Sequence, residues 1–90
     1  MKTIEEILTD NNFELNDNNE AVFTMDLENS DEAYEKLDYI REKSAIDVFL
    51  NVMEDESDNN TKWVVADFFF DIENQSPDVV EHTVNIILNA

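Results

Sequence analysis

The sequence predicts an α+β fold, a four-stranded, largely antiparallel sheet with helices packed on one face. Three observations carry this. Residues 46–72 read as two long strands, with Ile46, Val48, Leu50 and Val52 alternating on one and Val64, Ala66, Phe68, Phe70 and Ile72 on the other. Residues 13–28 repeat the alternation on a smaller scale around the turn-forming run 16–19. Three further segments switch to helical spacing, giving the order αββαββα in one 90-residue domain.

Each element has a local reason. Thr3 and Glu6 form an S/T-x-x-E capping box, and Ile4, Ile7 and Leu8 follow as an apolar stripe, so a short helix runs over 3–10. Asn11-Asn12 ends it. Phe13-Glu14-Leu15 alternates and reads as a short strand. In 21–28, Ala21, Phe23, Met25 and Leu27 point one way, and Val22, Thr24, Asp26 and Glu28 the other. Ser30 is an N-cap with Asp31 and Glu32 in the first turn, and Ala33, Leu37 and Ile40 give the stripe of a helix to about 43. Glu32 and Lys36 are spaced as a favourable i, i+4 pair. The polar run 54–60 reads as the turn between the two long strands. Ser76-Pro77-Asp78 then reads as N-cap, N1 proline and first-turn acid, opening a helix over 77–88 striped by Val80, Val84 and Ile87. The chain has no Gly, so tight turns fall to Asn and Asp.

Composition narrows the function classes. The chain is 42% apolar and 10% aromatic, enough for a modest core. It holds 23 acidic against 5 basic residues, a formal net charge of −18. That field disfavours direct binding to nucleic acid or to anionic membrane and favours basic partners. It also repels itself. The folded state therefore binds protons more readily than the unfolded one. Stability from this source is present at low pH and lost as pH rises, and added salt should raise the melting temperature. There is no Cys, which excludes a disulfide framework, a thiolate metal site and a cysteine nucleophile. No apolar run approaches membrane-spanning length and the first residues lack a signal-peptide pattern, so a cytoplasmic protein is expected.

No catalytic or cofactor motif emerges. With 23 acids, close carboxylate pairs are unavoidable, and a glycosidase would also need a sugar cleft. A calcium loop starting at Asp55 has Asn60 where Gly belongs and Ala66 at the twelfth position. His82, the single histidine, lies off the stripe of the last helix with no matching nucleophile. The expectation is a binding protein, not an enzyme, with no metal or cofactor.

The informative feature is the second face of the long strands. It carries Asp47, Phe49, Asn51, Met53 and Asp55 on one strand and Trp63, Val65, Asp67, Phe69, Asp71 and Glu73 on the other. A solvated face would be polar throughout. Two arrangements fit: the aromatics are core under another element or a second copy, or they are open anchors for a partner. A symmetric homodimer would satisfy both. Same-face side chains recur about every 6.8 Å along a strand, and a DNA strand carries a phosphate every ~3.4 Å of axis. Carboxylates on such rows can stand in for phosphates, with the aromatics as an apolar anchor that DNA lacks. The residues expected to contact a partner are Asp26, Glu28, Asp47, Phe49, Asp55, Trp63, Asp67, Phe69, Asp71 and Glu73.

In being short, single-domain, Cys-free, strongly acidic and α+β, the chain resembles the small acidic DNA-mimic proteins of bacteriophages and some bacteria. Those proteins block restriction enzymes, uracil-DNA glycosylase, nucleoid proteins such as the histone-like protein HU, or CRISPR effectors. The resemblance is one of composition and carries over no site residues. It implies an inhibitor occupying the DNA-binding surface of a basic host protein. The alternative is an immunity protein or antitoxin that neutralises a basic nuclease toxin.

Overall fold

The structure, a computed structural model, describes residues 2–27, 30–56 and 62–90, with backbone alone at 30, 55, 56 and 62. Its elements are α1 (Ile4–Asp10), β1 (Glu14–Leu15), β2 (Glu20–Leu27), α2 (Ser30–Lys43), β3 (Phe49–Glu56), β4 (Lys62–Asp71) and α3 (Pro77–Leu88). The expected α+β class and element order both hold.

The helix starts are set by the residues that predict them. The Thr3 hydroxyl accepts the Glu6 N–H at 3.2 Å, and Glu6 Oε1 accepts the Thr3 N–H at 3.2 Å, closing the capping box. Ser76 caps α3 by accepting the Val79 N–H, with Pro77 in the first turn. The left-handed positions among the described residues are all Asn: Asn12, Asn19 and Asn74, with φ of 62°, 58° and 62°. Asn12 and Asn19 lie in the anticipated turns, and Asn74 closes the turn before α3. In a chain without Gly, Asn takes the conformation that other residues resist.

The sheet order is β1-β2-β4-β3, every pair antiparallel. The two hairpins therefore form, and β4 sits between β2 and β3. Those two strands run the same way, so α2 serves as the crossover between them. Helices cover one face. Val64, Ala66, Phe68 and Phe70 of β4 are wholly buried, together with Ile40 of α2 and Val84 and Ile87 of α3. Burying a side chain such as Phe68 contributes up to about 3 kcal/mol. Phe13, just before β1, stacks on Phe23 of β2 with centroids 4.5 Å apart. Thr83, the buried polar residue of α3, satisfies its hydroxyl on the Val79 carbonyl at 3.1 Å.

The first long strand differs from expectation at both ends. The first long strand begins at Phe49, not at 46. Ile46 and Val48 are buried all the same, because they bring the chain from the helical layer to the sheet edge outside the ladder. Residues 54–56, read as turn, continue β3 and pair with Val64, Trp63 and Lys62. An exposed edge strand tolerates charged side chains, since its ladder needs only backbone groups. The rest of that expected turn, 57–60, lies outside the described residues, as does Glu28.

Candidate partner-binding face

Antiparallel register turns the alternation along each strand into rows across the sheet. Residues directly opposite one another share a face, with Cβ atoms about 4.5–5.5 Å apart. On the face away from the helices one row is Glu14, Val22, Phe69 and Phe49. The next is Thr24, Asp67 and Asn51, and after it come Asp26, Val65 and Met53. Trp63 faces Asp55 at one end of β4, and Asp71 faces Glu20 at the other. Apolar side chains and carboxylates are thus interleaved across three strands.

This face is open. Phe49 is 61% and Met53 65% exposed, and Trp63 is 37% exposed. Val22, Val65 and Phe69 are half-buried by their neighbours in the sheet. No described helix covers them. Within the chain, then, no described element serves as the cover that the sequence allowed for.

Four of the acids on or beside this face are held in place without being neutralised. The Thr24 hydroxyl donates to Asp67 Oδ1 at 2.6 Å. Asn16 Nδ2 donates to Glu20 Oε1 at 3.0 Å. The Glu73 N–H donates to Asp71 Oδ1 at 2.8 Å, and Asn19 Nδ2 donates to Glu73 Oε1 at 2.9 Å. These donors are neutral, so they order each carboxylate and leave its charge intact. The sheet positions on this face carry no Lys or Arg. Three of the five basic residues, Lys36, Arg41 and Lys43, lie on α2. Lys2 pairs with Asp10 at 2.8 Å, a hydrogen bond and charge that together raise its pKa.

The expected contact residues among the described ones, all but Glu28, fall into three groups. Asp26, Asp67, Asp71, Phe49, Phe69 and Trp63 lie on the open face, with the Asp55 backbone opposite Trp63. Asp47 precedes β3 and joins Phe49, Asp71 and Gln75 around a shallow depression of ≈ 440 Å³. Glu73 is not a strand residue; it sits in the turn after β4, because β4 ends at Asp71. Glu14 was not anticipated on this face. Its place follows from the register of the β1–β2 hairpin, which sets it opposite Val22. Nor was the Tyr34 hydroxyl donating to Glu54, which ties α2 to β3 and, with some desolvation, raises the tyrosine pKa above 10.0.

The long dimension of the molecule is 46 Å. With a net charge of −18, that is one negative charge per 2.6 Å (46/18). Duplex DNA carries one per ~1.7 Å of axis, so the two line densities are of the same order. His82 is exposed, with Nε2 3.3 Å from the Lys43 carbonyl oxygen. Among the described residues no three His, Cys, Asp or Glu converge as a metal site, and no helix is long and apolar enough to cross a membrane. No family model matches the chain, and neither a curated protein nor a solved structure matches it.

Proposed function

We propose that this chain is an acidic DNA mimic that binds the DNA-contacting surface of a basic protein and competes with DNA for it. One observation carries the reading. A sheet face without cations presents carboxylates that neutral donors hold in place, among them Thr24 on Asp67 and Asn16 on Glu20. A solubility device needs charge but not fixed charge. A surface that must meet Lys and Arg side chains at set positions gains from both, because the ordering entropy is already spent before binding.

The exposed aromatics supply the second half of the mechanism. Phe49 and Trp63 sit among the acids and can enter apolar crevices of the partner once the charges are matched. Charge then sets the association rate and the salt dependence, while the aromatics slow dissociation. Nucleoid proteins and DNA-acting defence enzymes have the basic surface this requires.

Capture from a bacterial lysate on the immobilised protein tests the reading. The expected result is a dominant basic DNA-binding protein, released by duplex DNA as well as by salt. Retention of a dedicated toxin that DNA cannot displace would favour the immunity-protein alternative. Retention of no specific protein would remove the proposal.

A further inference from the structure

The sheet has two edges, and they are unlike. β1 is two residues long, so it offers little ladder to another strand. β3 is the opposite edge and runs eight residues, Phe49–Glu56, in unbroken register with Lys62–Phe69. Among the described residues, no backbone hydrogen bond outside the β3–β4 ladder engages Phe49–Glu56. In an antiparallel pair, alternate residues turn their N–H and C=O away from the partner, so about four of each face outward here.

Exposed edges are normally guarded by Pro, Lys, a bulge or a cover. β3 has no Pro, no Lys and no register break. Its guard is negative charge. Glu54, Asp55 and Glu56 form its far end, and Asp47 precedes its start. Such a guard is selective. Pairing two copies of β3 antiparallel about Asn51 would set Asp47 against Asp55 of the other copy, twice, on molecules that each carry −18. Like charges directly opposite destabilise a pair of strands. An extended cationic segment meets no such penalty. Its basic side chains would lie on the open face beside Asp47, Phe49 and Met53, and its alternating apolar ones on the other face beside the half-buried Leu50 and Val52.

We infer that β3 accepts an extended, cationic strand of the partner as a fifth strand, so that recognition is by β-augmentation as well as by charge. The inference rests on the proposed function and names the element of the partner that docks. DNA-reading proteins present either a helix or a β-ribbon to the major groove, and the β-ribbon is the form that an open edge can pair. The Asp26, Asp67 and Asp71 face then continues alongside it for the rest of the basic surface.

The test uses the unmodified protein and three octapeptides: alternating Lys-Val, the same peptide N-methylated at every backbone amide, and alternating Glu-Val. N-methylation keeps the charge and removes every backbone donor. Binding is read by titration, and docking by amide hydrogen exchange of the protein. The expected result is that Lys-Val binds, that N-methylation weakens it by about tenfold or more, that Glu-Val does not bind, and that alternate amides within Phe49–Glu56 slow in exchange. Equal binding of the methylated peptide, or slowed exchange elsewhere than β3, would overturn edge docking while leaving charge-based mimicry standing. Slowing of the same amides in concentrated protein alone would also overturn it, making a second copy the occupant. If neither cationic peptide binds, edge docking fails, and the lysate capture decides the broader reading separately.

Discussion

Replacing Asp71 by Asn should make this protein more stable and its partner binding weaker. Asp71 lies directly opposite Glu20 across the β2–β4 ladder. Two carboxylates about 5 Å apart in water repel by about 332/(80 × 5), or 0.8 kcal/mol. Cross-strand pairs in host proteins span about 0.2–1 kcal/mol. Asn keeps an oxygen to accept the Glu73 N–H, now 2.8 Å from Asp71 Oδ1, so the turn after β4 need not loosen. The expected gain is about 0.5 kcal/mol, which at about 4–8 °C per kcal/mol for a domain of this size raises Tm by about 2–4 °C. Glu20→Gln should give a similar gain, and the double variant little beyond either single one, because the repulsion can be removed only once. Urea unfolding of the four proteins at low salt measures the coupling. Repeating it at 1 M salt, where the screening length is about 3 Å, should abolish the gain. Destabilisation by Asp71→Asn, additivity of the two changes, or a gain unaltered by salt would refute the reasoning.

Three other outcomes follow from the packing and the turns. Phe68→Ala should remove about 3–5 kcal/mol, enough to leave a domain of this size largely unfolded by far-UV circular dichroism, whereas Phe68→Leu should remain folded. Asn12→Gly should be nearly neutral in urea unfolding, and Asn12→Ala should cost about 1 kcal/mol, because φ is 62° there. The raised pKa of Tyr34 comes first from its hydrogen bond to Glu54, so its phenol should ionise above pH 10.0 in an ultraviolet titration. A folded pKa above the unfolded one means that this contribution to stability is present below the unfolded pKa and is lost as pH rises through the folded value; Tyr34→Phe should remove that alkaline dependence.

The local parts of this structure were legible in the sequence because their causes are local. The Thr3–Glu6 box, the Ser76-Pro77 start and the Asn turns each depend on residues within four positions of one another. The two faces of β4 were legible because a period of two separates them whatever the neighbours are. Strand order was not legible, since nothing in residues 20–27 says that β4, and not β3, will lie beside them. Register between β2 and β4 follows strand order, and that register is what places Thr24 beside Asp67. The start of β3 was misplaced for a related reason. Ile46 and Val48 alternate as strand residues do and are buried as core residues are, yet a chain descending from α2 can bury them without joining the ladder. Residues 54–56 misled in the other direction, because their polarity matches a turn while their backbone extends an edge strand.

The open sheet face also explains how the extreme charge coexists with a stable fold. Every acid whose burial is described is exposed or half-exposed, so none requires a buried counter-charge. The core under the helices is almost purely apolar, with Thr83 as its satisfied exception. Repulsion is therefore confined to the surface, where salt or a basic partner can relieve it. Binding would release the strain that the Asp71→Asn experiment measures.

If this chain and DNA compete for one basic surface, a displacement titration will show it. Labelled duplex DNA is bound to the protein captured from lysate, and this chain is added in steps at several salt concentrations. The expected result is complete release of DNA at a fixed stoichiometry, with an affinity that falls by more than about tenfold between 50 and 200 mM salt. A ternary complex in which DNA stays bound, or an affinity indifferent to salt, would contradict it.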